Sequence, residues 1–149
     1  RRSRGAVGSQ GAGRMIDFDA VTQAVKAVLD DTGVTVGLAT APASRPSSYA
    51  VLELPPGTTR TGTLATPEAM AVYRCRIRSV ARSNQVEVAT REAQRIGTVL
   101  ATALLDRTVP IAGDGWEVTG RSLDADGGVL IEGDVVNHVA DYVLEISRA

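Results

Sequence analysis

NQVEVATREAQRIGTVLATALL, residues 84–105, is the stretch from which the fold is read. On a helical wheel of about 100° per residue, Val86, Ala89, Ala93, Ile96, Leu100, Ala103 and Leu104 fall within an arc of about 100°. That is the apolar stripe of a half-buried helix. Glu87, Arg91, Gln94, Arg95, Thr98 and Thr102 take the opposite face. Asn84 and Glu87 stand at the spacing of a capping box, and Glu87 and Arg91 form a favourable i,i+4 pair. Such a helix is about 30 Å long, enough to cover one face of a small sheet.

The residues that run into this helix have a different period. Over 70–81, Tyr73, Cys75, Ile77 and Ser79 share one face of a strand, and Arg74, Arg76 and Arg78 share the other; Arg82 follows. Cations at alternate positions repel one another, so the arginine face needs a reason. It is a solvated face with Asp or Glu partners nearby, a contact with carboxylates of a neighbouring subunit, or the lining of a passage for a polyanion such as DNA. Just upstream, residues 58–67 are polar and threonine-rich. Arg60, Thr61 and Thr63 there are candidates for subunit or tube contacts, with a solvated excursion as the alternative.

Outward from this centre, Asp17 or Asp19 caps a first helix to about residue 31, striped by Val21, Val25, Val28 and Leu29 and closed by Gly33. Strands follow at 34–38 and 49–54, separated by a loop containing Pro42 and Pro46 and stopped by Pro55-Pro56-Gly57. After the long helix, Pro110 marks a break. Strands at 116–123 and 129–132 flank Asp124-Ala125-Asp126-Gly127-Gly128, a hairpin signal. Residues 141–147, DYVLEIS, alternate as a closing strand. The order α-β-β-β-α-β-β-β predicts an α+β domain: an antiparallel or mixed sheet with two helices packed on one face. Residues 1–14 are Gly/Ser/Arg-rich and aperiodic. They read as a disordered arm or upstream sequence before Met15, leaving 15–149 as one domain.

Composition narrows the function classes. The 149 residues carry a net charge of −1, which argues against a dedicated nucleic-acid binder. The total is asymmetric: residues 1–14 hold four arginines and no acid. One cysteine excludes an internal disulfide, and no apolar run has the length of a membrane span or the form of a signal peptide. Residues 124–128 resemble the start of a calcium loop but lack its later bidentate Glu and its flanking helices. His138, the single histidine, stands near Asp134 and Asp141 in sequence; one His without Cys or a second His is no zinc site. No nucleophile elbow accompanies it, and Cys75 falls on the core face. The reading is therefore of a non-enzyme, without catalytic residue, metal or cofactor.

MIDFDAV at the first helix, YAVLELPPG, AVYRCRIRSVARS running into the long helix, a Gly-rich hairpin and the terminal DYVLEIS together resemble one family. They are similar to the tail terminator, or tail completion, proteins of long-tailed bacteriophages, especially those infecting actinobacteria. The resemblance spans residues 15–149 and rests on order and texture. It implies a small α+β subunit of the virion that forms a ring, usually of six. The ring caps the tail tube at its head-proximal end, stops its polymerisation and offers the head a docking surface. The implied partners are further copies of itself, the tail-tube protein and a head-completion or connector protein, with passing contact to DNA in the lumen and no membrane. Assembly would take place in the cytoplasm of the host. The family has no short motif to carry over, so Arg74, Arg76, Arg78 and Arg82 remain candidates from the strand pattern alone. The competing readings are another head–tail connector or neck protein and a small cellular ligand-binding or regulatory domain.

Overall fold

The computed structural model describes residues 17–44, 46–54 and 70–149. Helix α1, Phe18–Asp30, starts because the Asp17 carboxylate accepts the backbone N–H groups of Asp19 and Ala20 at 3.0 and 3.3 Å. It buries Phe18, Val21, Val25 and Leu29, and ends near Gly33, whose φ of +88° suits glycine. Strands β1, Val36–Leu38, and β2, Ser48–Glu53, follow, then β3, Met70–Arg82, and α2, Val86–Leu105. A short β4, Ala112–Gly113, leads into β5, Trp116–Glu132, and β6, Val135–Arg148. The element order is the one expected.

The six strands form one sheet in the order β1-β2-β3-β6-β5-β4. β1 and β2 are parallel and every other pair is antiparallel, so the sheet is mixed. The face carrying Ala71, Tyr73, Cys75 and Ile77 of β3 and Ala140, Tyr142, Leu144 and Ile146 of β6 is buried with residues of both helices. Tyr73 ties the layers together. Its ring meets Phe18 edge-on at 5.7 Å, and its hydroxyl lies 2.7 Å from Thr22 Oγ1.

Three local expectations are corrected. The capping box of Asn84 and Glu87 does not form. α2 begins after Gln85, so Asn84 sits one position too early to be the cap, and Ser83 Oγ instead accepts the Gln85 N–H at 3.1 Å. Val86 consequently stands exposed, and the buried stripe starts at Ala89. Residues 124–128 are not a turn. β5 runs through them with register shifts at Val118/Gly120, Leu123/Ala125 and Asp126/Gly128, and the chain reverses instead at Gly133-Asp134. The extra residues are taken up as bulges, with Gly128 at φ +73°. β6 is correspondingly longer than the strand expected at 141–147.

Candidate functional site

The sheet face opposite the helices carries the four arginines, and each finds an acid in its own chain. Arg76 sits across from Asp141 on β6 and forms a fork, Nε to Oδ1 at 2.8 Å and Nη2 to Oδ2 at 3.2 Å. That bond raises the Arg76 pKa further. Arg78 reaches Glu53 of β2 at 2.7 Å, Arg74 reaches Asp124 of β5 at 3.3 Å, and Arg82 lies 3.8 Å from Asp134 in the β5–β6 turn. Cations that repel along β3 are thus neutralised across the sheet, by acids from other parts of the chain. The Arg76–Asp141 and Arg78–Glu53 pairs are partly sheltered; the Arg74 and Arg82 pairs are largely exposed, each worth about 0–1 kcal/mol. Arg60, Thr61 and Thr63 lie outside the described residues, so the arginine row is the part of the expected surface whose geometry is known.

His138 is on the helix side, and its partner is not the one its sequence neighbours suggest. Asp134 and Asp141 are engaged by Arg82 and Arg76, and His138 Nε2 lies 3.1 Å from Asp126 Oδ1 across the β5–β6 pair. The Asp126 carboxyl is held below its ordinary range, first by the Gly128 N–H and then by His138. Ser79 is the register partner of His138 on β3. Ser79, His138 and Asp126 are therefore neighbours in the sheet, but Ser79 Oγ is fully buried and no substrate could reach it. The row is packing, not a hydrolytic triad.

Above it α2 comes close enough that only glycine fits. A β-carbon on Gly97 would stand 2.5 Å from His138 Nδ1. Gly97→Ala is expected to destabilise by about 1 kcal/mol, an overpacking cost of about 1–3 kcal/mol partly offset by helix propensity. With His138→Ala already present, the same change is expected to stabilise by up to about 1 kcal/mol. Urea unfolding of the four proteins in a double-mutant cycle checks the reversal of sign.

Arg121 is a residue the sequence pattern missed. Strict alternation from Trp116 would place it on the outer face, but the bulge at Val118/Gly120 turns it inward. Only 9% exposed, its guanidinium donates from Nη1 to the carbonyls of Leu104 at 3.2 Å and Asp106 at 2.6 Å, and from Nη2 to that of Val109. It closes the C-terminal end of α2 and fixes the loop after it. Cys75 lies where expected, fully buried, its thiol pushed up to about 12 by desolvation. A groove near the start of α1 is lined by Phe18, Leu38, Leu52, Leu54 and Tyr73, with Asp19, Thr22 and Glu53 as its polar groups.

These environments set the pH range of stability. Glu92, bonded by Arg95, Asp106, bonded by Thr108, and Asp126 are all lowered from ordinary values of 4.5 and 3.8. Their contribution is complete above those values and is lost as pH falls through the lower folded ones. Cys75 and Tyr142 are both pushed up to about 12 by burial, from 9.0 and 10.0, and Tyr73 is raised in the same way. The unfolded chain ionises these groups first, so their contribution is complete below about pH 9 and is lost as pH rises towards 12. The urea midpoint is expected to be flat from about pH 5 to 8 and to fall on both sides.

No protein family profile matches the chain, and no curated protein matches it. Among solved structures, it is similar to a chain of the virion of a native gene transfer agent (GTA) particle. The TM-score is 0.56, and the match covers 87% of this chain and 92% of that one at 17% identity. The likeness is one of fold, extending over nearly the whole of both chains.

Proposed function

We propose that this chain is a structural assembly protein of a phage-type virion, and specifically a tail terminator. In this reading it forms a ring, of about six copies by the family resemblance, that caps the tail tube, ends its growth and receives the head. The observation that carries the reading is the near full-length likeness of its fold to a virion chain. The texture of the sequence from MIDFDAV to DYVLEIS points the same way. The proposed role needs no catalytic group. The arginine row is assigned to the tube or to the lumen. Because each arginine is already matched by Glu53, Asp124, Asp134 or Asp141, the row suits an exchange of ion pairs with a protein surface better than a grip on DNA phosphates.

The test is light scattering across protein and salt concentrations with negative-stain imaging, followed by addition of tail-tube protein. Rings with a central hole that stop tube growth at a defined length support the terminator. Binding to a portal-side adaptor, with no effect on tube length, supports the neighbouring neck-protein reading instead. A thermal shift with a small ligand, without assembly, would favour the ligand-binding alternative.

A further inference from the structure

The outer edge of β5 is protected along most of its length and bare at one end. Beyond the short pairing of Trp116 and Glu117 with β4, it has no neighbouring strand among the described residues. Between Val118 and Gly128 three register shifts interrupt it, and Asp124 and Asp126 stand on it. Bulges and charges of this kind keep a free edge from recruiting another strand. Past Gly128 the register with β6 is unbroken, and the sequence is Val129-Leu130-Ile131. Ile131 pairs with Val136 on the helix side and is 51% exposed. Leu130 points to the opposite face and is 57% exposed. Successive apolar residues suit a strand covered on both faces, not an edge.

The ladder shows which backbone groups are free here. The Ser83 N–H bonds the Asp134 carbonyl at 3.0 Å. Alternation along β6 then turns Val136 and His138 towards β3, and Val135 and Asn137 towards β5. Glu132 and Leu130, the partners of Val135 and Asn137, are therefore the residues bonded to β6. Val129 and Ile131 point their N–H and C=O groups out of the sheet.

We propose that this stretch takes up an extended segment of a different protein as an added strand. The free groups of Val129 and Ile131 bond its backbone, and its side chains lie beside Leu130 on one face and Ile131 on the other. The segment is accordingly β-branched and apolar, with a Lys or Arg at the end that meets Glu132. Asp124 and Asp126 already have Arg74 and His138, whereas Glu132 is exposed and has no ion pair among the described residues. The chain's own edges fit less well. β1 offers three residues. A second β5 would bring the same carboxylates to the joint, with no basic side chain between residues 122 and 132. Strand addition at this edge requires neither a ring nor a tail tube.

Random linear peptides displayed on yeast and panned against the whole chain supply the probe. The wild type is expected to enrich β-branched sequences ending in Lys or Arg. With one such peptide bound, hydrogen exchange is expected to slow at the amides of Val129 and Ile131. Ile131→Pro deletes an N–H that faces away from β6, so the variant is expected to keep the wild-type thermal midpoint. It should bind the same peptide about tenfold or more weaker, the worth of a lost hydrogen bond or two. Glu132→Lys alters an exposed side chain and is expected to turn the selected charge from basic to acidic. This second variant carries the test even where Ile131→Pro unfolds. Peptides that bind both variants as they bind the wild type overturn the site, as does a panning that enriches none. A wild type that self-associates in light scattering, and an Ile131→Pro protein that does not, would give the edge to a second copy and overturn the assignment to a different protein.

Discussion

Arg121→Ala is expected to lower the unfolding free energy by about 3 kcal/mol or more. Charge-assisted hydrogen bonds are worth about 1.5–3 kcal/mol each, and a buried carbonyl left without its donor adds a desolvation cost. Three carbonyls lose their donor at once: those of Leu104 and Asp106 at the end of α2 and that of Val109 in the following loop. Against a typical domain stability of about 5–15 kcal/mol, this is a large fraction. Urea unfolding should show a lower midpoint at unchanged slope. Arg121→Lys should recover only part of the loss, because an ammonium is a point donor and cannot spread over three carbonyls as the planar fork does. An Arg121→Ala protein as stable as the wild type would mean that the guanidinium does not hold this end of the helix.

Ile96→Asp is expected to abolish the fold altogether. Ile96 is 1% exposed and lies midway along α2 in the same core cluster as Cys75, Ile77 and Leu100. A carboxylate there would have no counter-ion, and burying an unpaired charge costs more than such a domain can spare. Circular dichroism and size-exclusion chromatography should show an unfolded or aggregated chain. Ile96→Val, which removes one methylene, should cost about 1 kcal/mol and stay folded. A soluble, cooperatively folding Ile96→Asp protein would mean that α2 presents its other face to the sheet.

Both α2 and β3 were legible in the sequence because one period dominates each. Apolar residues recur with the period of the helix along α2, and Tyr73, Cys75, Ile77 and Ser79 alternate without interruption along the strand. Legibility fails where the period breaks. Asp124-Ala-Asp-Gly-Gly128 has the composition of a turn, yet the hairpin absorbs it as bulges and turns at Gly133-Asp134. A separate bulge, at Val118/Gly120, sends Arg121 inward, which no fixed alternation would predict. The arginine row is visible as a pattern, and Asp or Glu partners nearby are one reading of it, but the identity of those acids is not legible. Arg76 and Asp141 are 65 residues apart, and only the β3–β6 register brings them together. His138 was placed by sequence proximity beside Asp134 and Asp141, when pairing across the turn gives it Asp126.

The central position of β6 governs when the fold can close. β3 pairs along its whole length with β6, the last strand of the sequence, and with β2 on the other side. During synthesis, α1, β1, β2, β3 and α2 therefore emerge without the strand that completes their core. Contacts so distant along the chain form slowly and late. Until β6 is inserted, β3 keeps an open edge and α2 has only part of its bed, so a partly made chain leaves bare the apolar residues that the finished sheet covers.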